Sequence, residues 1–465
     1  MKPMVISKIA RYTEGNISGS LEKDKLINHV TIDSRQSRKG SLFIPLKGNQ
    51  WDGHSFIKDA AKQGATACLY EPALYAKEDI PSNMIGIAVE NCQKALECLA
   101  SHYREEFSIP FIAITGSNGK TTTKDMTAAV LSSKYQVLKN PGNYNNHIGL
   151  PLSILGLDHN HQVAVLEMGM SGAGEIGLLS KITKPDYAVV TNIGMAHVEN
   201  LGSRLNIAYA KKEITEGLCS KGTLLLNKED DYYDVLYNDH AKDYEITSVG
   251  LKDKTTFHAC DIEDLGQDGF KFRTNETGDF FFYVRQPGMH NITNALFAIK
   301  IALLFGLKNK EIQNGLNNLK PAAMRMEICR LHHADVVNDA YNANPDSMKA
   351  AIQFISQYPA ERRIAVLGDM YELGEHSESA HKEIGNEMVK KQIDHLITVG
   401  DFASWIASEA IAQGMDSRMI NNTKDYKEAA NILNKMIRKG DVVLLKASRK
   451  MALEKMIRLL QEGEK

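Results

Sequence analysis

The chain has 465 residues, 43% of them hydrophobic and 24% charged, with a formal net charge of −2. That length exceeds one hydrophobic core and predicts about three domains. Near-neutral charge gives no electrostatic case for nucleic acid or an anionic membrane as a main partner. The opening "MKPMVISKIARYTEGN" lacks the apolar stretch of a signal peptide, and no run reaches the ~18 apolar residues of a membrane span. A soluble, cytoplasmic protein is therefore expected. Cys68, Cys92, Cys98, Cys219, Cys260 and Cys329 show no C-x-x-C spacing, which argues against a zinc site and a disulfide framework.

Residues 1–88 read as short strands and helices, with turns in "SRKGS" and "KGNQWDGHS" and a last strand in "IGIAVE". The stretch "QKALECLASHYREEF" is helical and leads to Pro110, a boundary signal. From there to about residue 320, "FIAIT", "VAVLE", "YAVVTN" and "TLLLN" are short runs apolar on both faces. Such runs suit a parallel sheet covered by helices. After Pro321, "RIAVLGD", "HLITVG" and "DVVLLK" alternate with helical segments such as "YKEAANILNKMIRKG", predicting a second, smaller α/β domain. The expected fold class is α/β. It comprises a small N-terminal α/β domain (1–88), a central, mostly parallel phosphate-loop-type domain (89–320) and a Rossmann-like C-terminal domain (321–465).

The strand "FIAIT" runs into "TGSNGKTTTKDM". Ile114 stands where a phosphate loop usually has its first glycine, and only two residues separate Gly116 from Gly119. The context is nevertheless strand, glycine turn, helix. Glycines let amides face an anion, and the helix N-terminus adds partial positive charge. Lys120 is placed to reach the β- and γ-phosphates, and Thr121 to hold Mg²⁺.

Two motifs imitate other nucleotide sites. "GAGEIG" (172–177) satisfies G-x-G-x-x-G, but it begins five residues after the strand ends at Glu167. The next strand ends in Asn192, not in the acidic residue that would bind a ribose. "NKED" (227–230) resembles the guanine-reading N-K-x-D, yet no D-x-x-G lies between the phosphate loop and Asn227. Glu167 and His197 each follow a strand, where C-terminal ends converge on a ligand crevice. Lys120 and Thr121 lie just beyond such an end too, and a hydroxyl, a carboxylate and an imidazole around triphosphate oxygens make a reasonable Mg²⁺ environment.

"TGSNGKTTT", "NYNNHIGLP", "EMGMSGAGEI", "TNIGMAHVENLGS", "AKKEI", "GMHNITNALFA" and "KASR" together resemble the Mur ligase family, ATP-dependent amide ligases of peptidoglycan precursor synthesis. The two-residue gap in the loop is normal in that family. "DAYNANPDSM" and "LGDMYELGEHSE" look like the member that adds D-alanyl-D-alanine to a UDP-N-acetylmuramoyl-tripeptide. "TIDSRQSRKGSLFIPLKGNQWDGHSF" resembles its uridine-nucleotide region.

The resemblance implies roles for individual residues. Gly116, Ser117, Asn118, Gly119, Lys120, Thr121 and Thr122 would bind ATP phosphates, helped by Asn291, Asn294, Arg325 and Asp339. Thr121, Glu167 and His197 would engage Mg²⁺, together with Lys211 as a carbamate; Lys120, Glu167, His197 and Lys211 would be catalytic. Asp33, Ser34, Arg35, Asn49, Asp52 and His54 would lie at the uridine end of the substrate. Asn342 and Asn344 would contact the dipeptide. Asn143, Asn146, Tyr341, Lys446, Ser448 and Arg449 would complete the substrate face, and a monomer is expected. Asn338 departs from a second aspartate common in the family, and Ala447 from the glycine of K-G-S-R. An alternative from another class is a nucleotide-binding regulator without turnover; the complete Lys120, Thr121, Glu167, His197 and Lys211 set argues against it.

Overall fold

The computed structural model describes residues 1–18, 25–48, 50–238, 243–253, 255–320, 323–331 and 334–462. Pro321, the expected start of the third unit, lies outside them, as does Asn49. The first sheet orders strands Asn16–Ser18, Ile85–Ala88, Ala67–Tyr70, Ser41–Phe43 and His29–Thr31, parallel apart from the first pair. Helix Cys92–Arg104 buries Ala95, Leu96, Leu99, Ala100 and Tyr103 along one face. The Tyr103 hydroxyl donates to the Leu157 carbonyl at 2.6 Å, tying this helix to the central unit.

The central sheet has nine strands. Phe111–Thr115 lies between Val163–Glu167 and Tyr187–Val190, parallel to both. The chain leaves Phe111–Thr115 through helix Lys120–Leu131 to edge strand Val137–Lys139 and returns at Val163–Glu167. It then crosses to the opposite side at Tyr187–Val190. That reversal makes a switch point, and a crevice opens at the C-terminal strand ends. Beyond Glu245–Gly250 the sheet continues through Phe257–Asp264, Phe270–Thr274 and Phe282–Val284, the last two joined antiparallel. This extension was not among the expected elements. Its burial alternates, with Phe270 and Phe272 inside while Lys271 and Arg273 are only partly covered, so it lacks the two-sided apolar runs of its neighbours.

The third sheet orders Glu327–Leu331, Ala334–Asn338, Asp441–Lys446, Arg362–Gly368, His395–Val399 and Ile420–Thr423, parallel apart from the first pair. Arg362 clamps Asp441 through Nε at 2.9 Å and Nη2 at 2.7 Å, and the aspartate side chain is 1% exposed. Asp441 also accepts the Arg438 amide at 2.7 Å. Removing the buried aspartate leaves the partly exposed Arg362 and the Arg438 amide without their acceptor, at about 2 kcal/mol. Asp441→Ala is expected to destabilise this domain by that amount, read as a lower urea midpoint; an unchanged midpoint would make the pair ornamental.

Candidate active site

The short loop between Thr115 and Lys120 is a built anion cradle. Gly116 has φ +148° and Gly119 +79°. A Cβ would lie 1.8 Å from Thr191 Oγ1 at the first and 2.6 Å from Asn294 Oδ1 at the second, so neither position accepts a side chain. Among the described residues, the amides of Gly119, Lys120, Thr121 and Thr122 make no hydrogen bond within the protein. Four free donors at a helix N-terminus are what a phosphate requires. Lys120 Nζ folds back onto the carbonyls of Gly116 (2.8 Å) and Ser117 (3.1 Å). Burial pushes its pKa down, opposed by the Glu167 charge and reinforced by Arg325. Arg325 reaches across from the third domain to donate to Thr121 Oγ1 at 3.1 Å, its guanidinium 4.1 Å from the Tyr341 ring centre.

Glu167 ends its strand 3% exposed. Its Oε1 accepts from Asn145 Nδ2 at 2.7 Å, whereas Oε2 is buried without a hydrogen-bond partner, 3.8 Å from Lys124 Nζ. Asn140, 0% exposed, accepts the Glu167 amide at 2.9 Å and donates to its carbonyl at 3.0 Å. Asn140 and Asn145 escaped the sequence reading, although both lie in or beside "NPGNYNNH"; nothing local marks which asparagines of that run turn inward. An orphaned carboxylate oxygen lining the same cleft as the Thr121 hydroxyl is a donor set that fits Mg²⁺.

His197 takes a left-handed φ of +67°. Its Nδ1 lies 2.6 Å from Glu372 Oε2, an ion-pair distance at which the carboxylate sits off the line of the ring N–H. The His197 ring holds the Glu372 carboxyl below its usual range. Lys211 is 1% exposed, on the inner face of helix Arg204–Lys212. Burial, then the nearby Lys120 charge, drives its pKa well below the ordinary lysine value. No hydrogen-bond or ion-pair partner of its Nζ is found among the described residues.

The third domain closes the far side of a cleft of about 1090 Å³. Lys446, 2% exposed, pairs with Asp339 Oδ2 at 2.5 Å and donates to the Asn342 carbonyl at 3.2 Å. The Asn342 side chain is exposed, while Asn344 donates to Asn118 of the phosphate loop at 2.8 Å. Asn291 and Asn294 are bonded to each other at 3.0 Å, and Asn294 also accepts from Thr123 Oγ1. Asn143 and Asn146 line the cleft, and Asn146 Oδ1 accepts the Gly149 amide at 2.9 Å, at the start of helix Gly149–Ile154.

Other expected residues lie elsewhere. Asp33, Ser34 and Arg35 border a separate cavity of about 660 Å³ on the first domain. There Arg35 chelates Asp33 at 2.9 and 2.8 Å. Asp52 caps the following turn and binds His54 Nδ1 at 2.7 Å; His54 Nε2 accepts the Glu71 amide at 3.1 Å. His54 is 3% exposed and both ring nitrogens are committed, so its part in the first domain is to fix Asp52. Ser448 accepts the Tyr371 amide at 2.9 Å, and Arg449 lies 3.4 Å from Glu454. The Asn338 amide donates to Glu327 at 3.2 Å, a contact that an aspartate would turn into repulsion. The Ala447 methyl packs over Gly368, where an added Cβ would lie 2.7 Å away.

Both imitation motifs are internally occupied. Glu213 accepts the amides of Gly174 (2.7 Å) and Gly177 (3.1 Å), so a side-chain carboxylate fills the N-terminus of helix Glu175–Thr183. In "NKED", Asp230 accepts the Ile193 and Tyr232 amides at 2.7 and 2.9 Å, while Asn227 accepts the Glu229 amide.

Residues 114–302 match the Mur ligase middle domain, 324–449 the Mur ligase glutamate ligase domain and 26–104 the Mur ligase catalytic domain. The chain is 38% identical to the UDP-N-acetylmuramoyl-tripeptide–D-alanyl-D-alanine ligase of Bacillus subtilis, over 98% of both chains. It is 32% identical to the ligase of the same name from Escherichia coli, covering 100% of this chain and 99% of that one. Its structure is similar to that of MurF from Acinetobacter baumannii, with TM-score 0.90, 30% identity and 99% of each chain covered. It is also similar to MurF from Thermotoga maritima in complex with ADP, with TM-score 0.80, 28% identity and coverage of 94% and 97%. The three larger sheets, the short phosphate loop at the switch point and these full-length likenesses agree: the chain belongs to the Mur ligase family.

Proposed function

We propose that this protein is an ATP-dependent amide ligase that joins D-alanyl-D-alanine to the terminal carboxylate of a UDP-N-acetylmuramoyl-tripeptide, in peptidoglycan precursor synthesis. One observation carries the reading: a phosphate loop with free amides faces, across a single cleft, the third domain's Asn342, Asp339 and Lys446. The full-length relatives bear that ligase name, and one similar structure holds ADP. In this reading residues 1–88 hold the uridine nucleotide, 89–320 the ATP and 321–465 the incoming dipeptide. The reading extends to a cytoplasmic monomer.

A carboxylate oxygen is a poor leaving group, so the acid must be activated. The substrate carboxylate attacks the γ-phosphorus, forming an acyl phosphate and releasing ADP. The dipeptide amine then attacks the acyl carbon, the C–N bond forms, and phosphate departs with the carbonyl–oxygen bond electrons while the amine loses a proton. Both steps gather negative charge at the loop, where the Lys120 ammonium and four backbone amides stabilise it without reorganising. Thr121, Glu167, His197 and a carbamylated Lys211 would hold Mg²⁺, which when bound neutralises phosphate charge. Asn342 offers an exposed amide to the dipeptide, and domain closure keeps water from the acyl phosphate.

Phosphate release should require ATP, UDP-N-acetylmuramoyl-tripeptide and D-alanyl-D-alanine together. Release that ignores either carbon substrate would remove the ligase reading and favour a regulator that merely binds nucleotide. Because both Asp230 oxygens and Asn227 Oδ1 already accept backbone amides, the motif lacks free acceptors to read guanine. GTP should give kcat/KM at least about 10-fold below ATP, the loss expected when one good hydrogen-bonded contact is missing; equal values would restore "NKED" as a base-reading motif.

A further inference from the structure

Asn344 opens helix Pro345–Gln357 as its N-cap: its Oδ1 accepts the Ser347 amide at 2.9 Å, while Ser347 Oγ accepts the Asn344 amide at 3.0 Å. The cap fixes the side chain, Pro345 stiffens the entry, and the residue is 8% exposed. The fixed side chain aims its Nδ2 at Asn118 Oδ1, 2.8 Å away on the phosphate loop. The Asn118 backbone is held in turn. Its amide donates to Asn192 Oδ1 at 2.9 Å, and its carbonyl accepts from Thr191 Oγ1 and Asn192 Nδ2.

A hydrogen bond from the fixed Asn344 side chain to a residue whose backbone is anchored forms only within about 2.7–3.2 Å, so it restricts the placement of the third domain against the loop. Two further contacts agree with that placement. Glu372 lies 2.6 Å from His197 Nδ1 and accepts the Glu199 amide on its carbonyl at 3.2 Å. Asp346 packs so closely on Gly194 that a Cβ there would lie 2.3 Å from its Oδ2. Asn342, two residues before Asn344, has an exposed side chain with no hydrogen bond among the described residues. The two asparagines of "YNANP" therefore have different jobs.

We infer that Asn344 is a positioning residue, not a dipeptide contact: with Glu372 it latches the amine-binding domain onto the phosphate loop, so that loop geometry and domain placement move together. The latch is defined by geometry alone, and only its kinetic consequence rests on the ligase reading above. A latch that joins the two halves of the site acts on every substrate whose binding or reaction spans them, whereas a dipeptide contact acts on one.

Asn344→Ser separates the two. Serine caps a helix about as well as asparagine but is too short to reach Asn118. With the full chain, the variant is expected to keep the wild-type melting temperature within a few degrees and to show a larger radius of gyration in small-angle scattering without nucleotide. It should also lose about 10-fold in kcat, the upper range for one net hydrogen bond, with KM for ATP and for D-alanyl-D-alanine changing by similar factors. Glu372→Gln leaves the cap untouched and should expand the protein in the same direction, which keeps the test open should Asn344→Ser melt early. A rise in KM for the dipeptide alone, with unchanged scattering in both variants, would overturn the inference. Should wild type show no substrate-dependent phosphate release, the ligase reading fails and the scattering comparison still decides the latch.

Discussion

Lys120→Ala is expected to lower kcat by about 10²–10³-fold or more, roughly 3–4 kcal/mol of transition-state stabilisation, with the fold retained. Lys120 is the first residue of helix Lys120–Leu131, and its ammonium lies against the loop it belongs to, bonded to the carbonyls of Gly116 and Ser117. The two carbonyls it leaves cost about 1 kcal/mol, so the melting temperature should move by a few degrees only. The large loss belongs to catalysis, because in the proposed reaction both phosphoryl and acyl transfer build charge beside this cation. Activity within a few-fold of wild type would remove the phosphate loop from the reaction.

The second large effect concerns Lys211. Its 1% exposure and lack of a partner among the described residues make it a poor structural ammonium. Burial and Lys120 both favour the neutral amine, whose lone pair can add to the carbon of CO₂ with loss of a proton. A carbamate so formed would exchange a neutral, unpartnered amine for an anion with two oxygens near Lys120. Lys211→Ala and Lys211→Arg should each lose about 10²-fold or more in kcat, since neither can supply that anion. Lys212→Ala should be mild, because Lys212 only ties the carbonyls of Val235 and Asn238 at 3.0 and 2.8 Å. Carbon-13 NMR in labelled bicarbonate should show a carbamate signal in wild type that Lys211→Ala lacks. Full activity of Lys211→Ala without that signal would return Lys211 to a structural role.

The parts of the site written in local patterns were legible before any coordinates. The loop at 116–122 announces itself by a strand before it and a helix after it. Glu167 and His197 follow apolar runs, which places them at strand ends. Long-range partners carry no such mark. Nothing in "LGDMYELGEHSE" says that Glu372 meets His197 from another domain, and Asn140 and Asn145 look like every other asparagine of a polar loop. Nor does the sequence announce that His54, a uridine-end residue by the family resemblance, is buried between Asp52 and the Glu71 amide. The strands at 257–284 alternate in burial against one covered face, so a search for runs apolar on both sides passes over them.

The Glu213 carboxylate at the start of helix Glu175–Thr183 has a consequence for how the protein discriminates among anions. Both glycine turns flanking the crevice point amides outward from a helix end, and each alone would attract a phosphoryl group. One of them is plugged from within by a tethered acid at effectively fixed concentration, which a free polyanion must displace before it can bind. The chain thereby silences its own decoy. Of these two turns, only the loop at residues 119–122 keeps its helix-end amides free among the described residues.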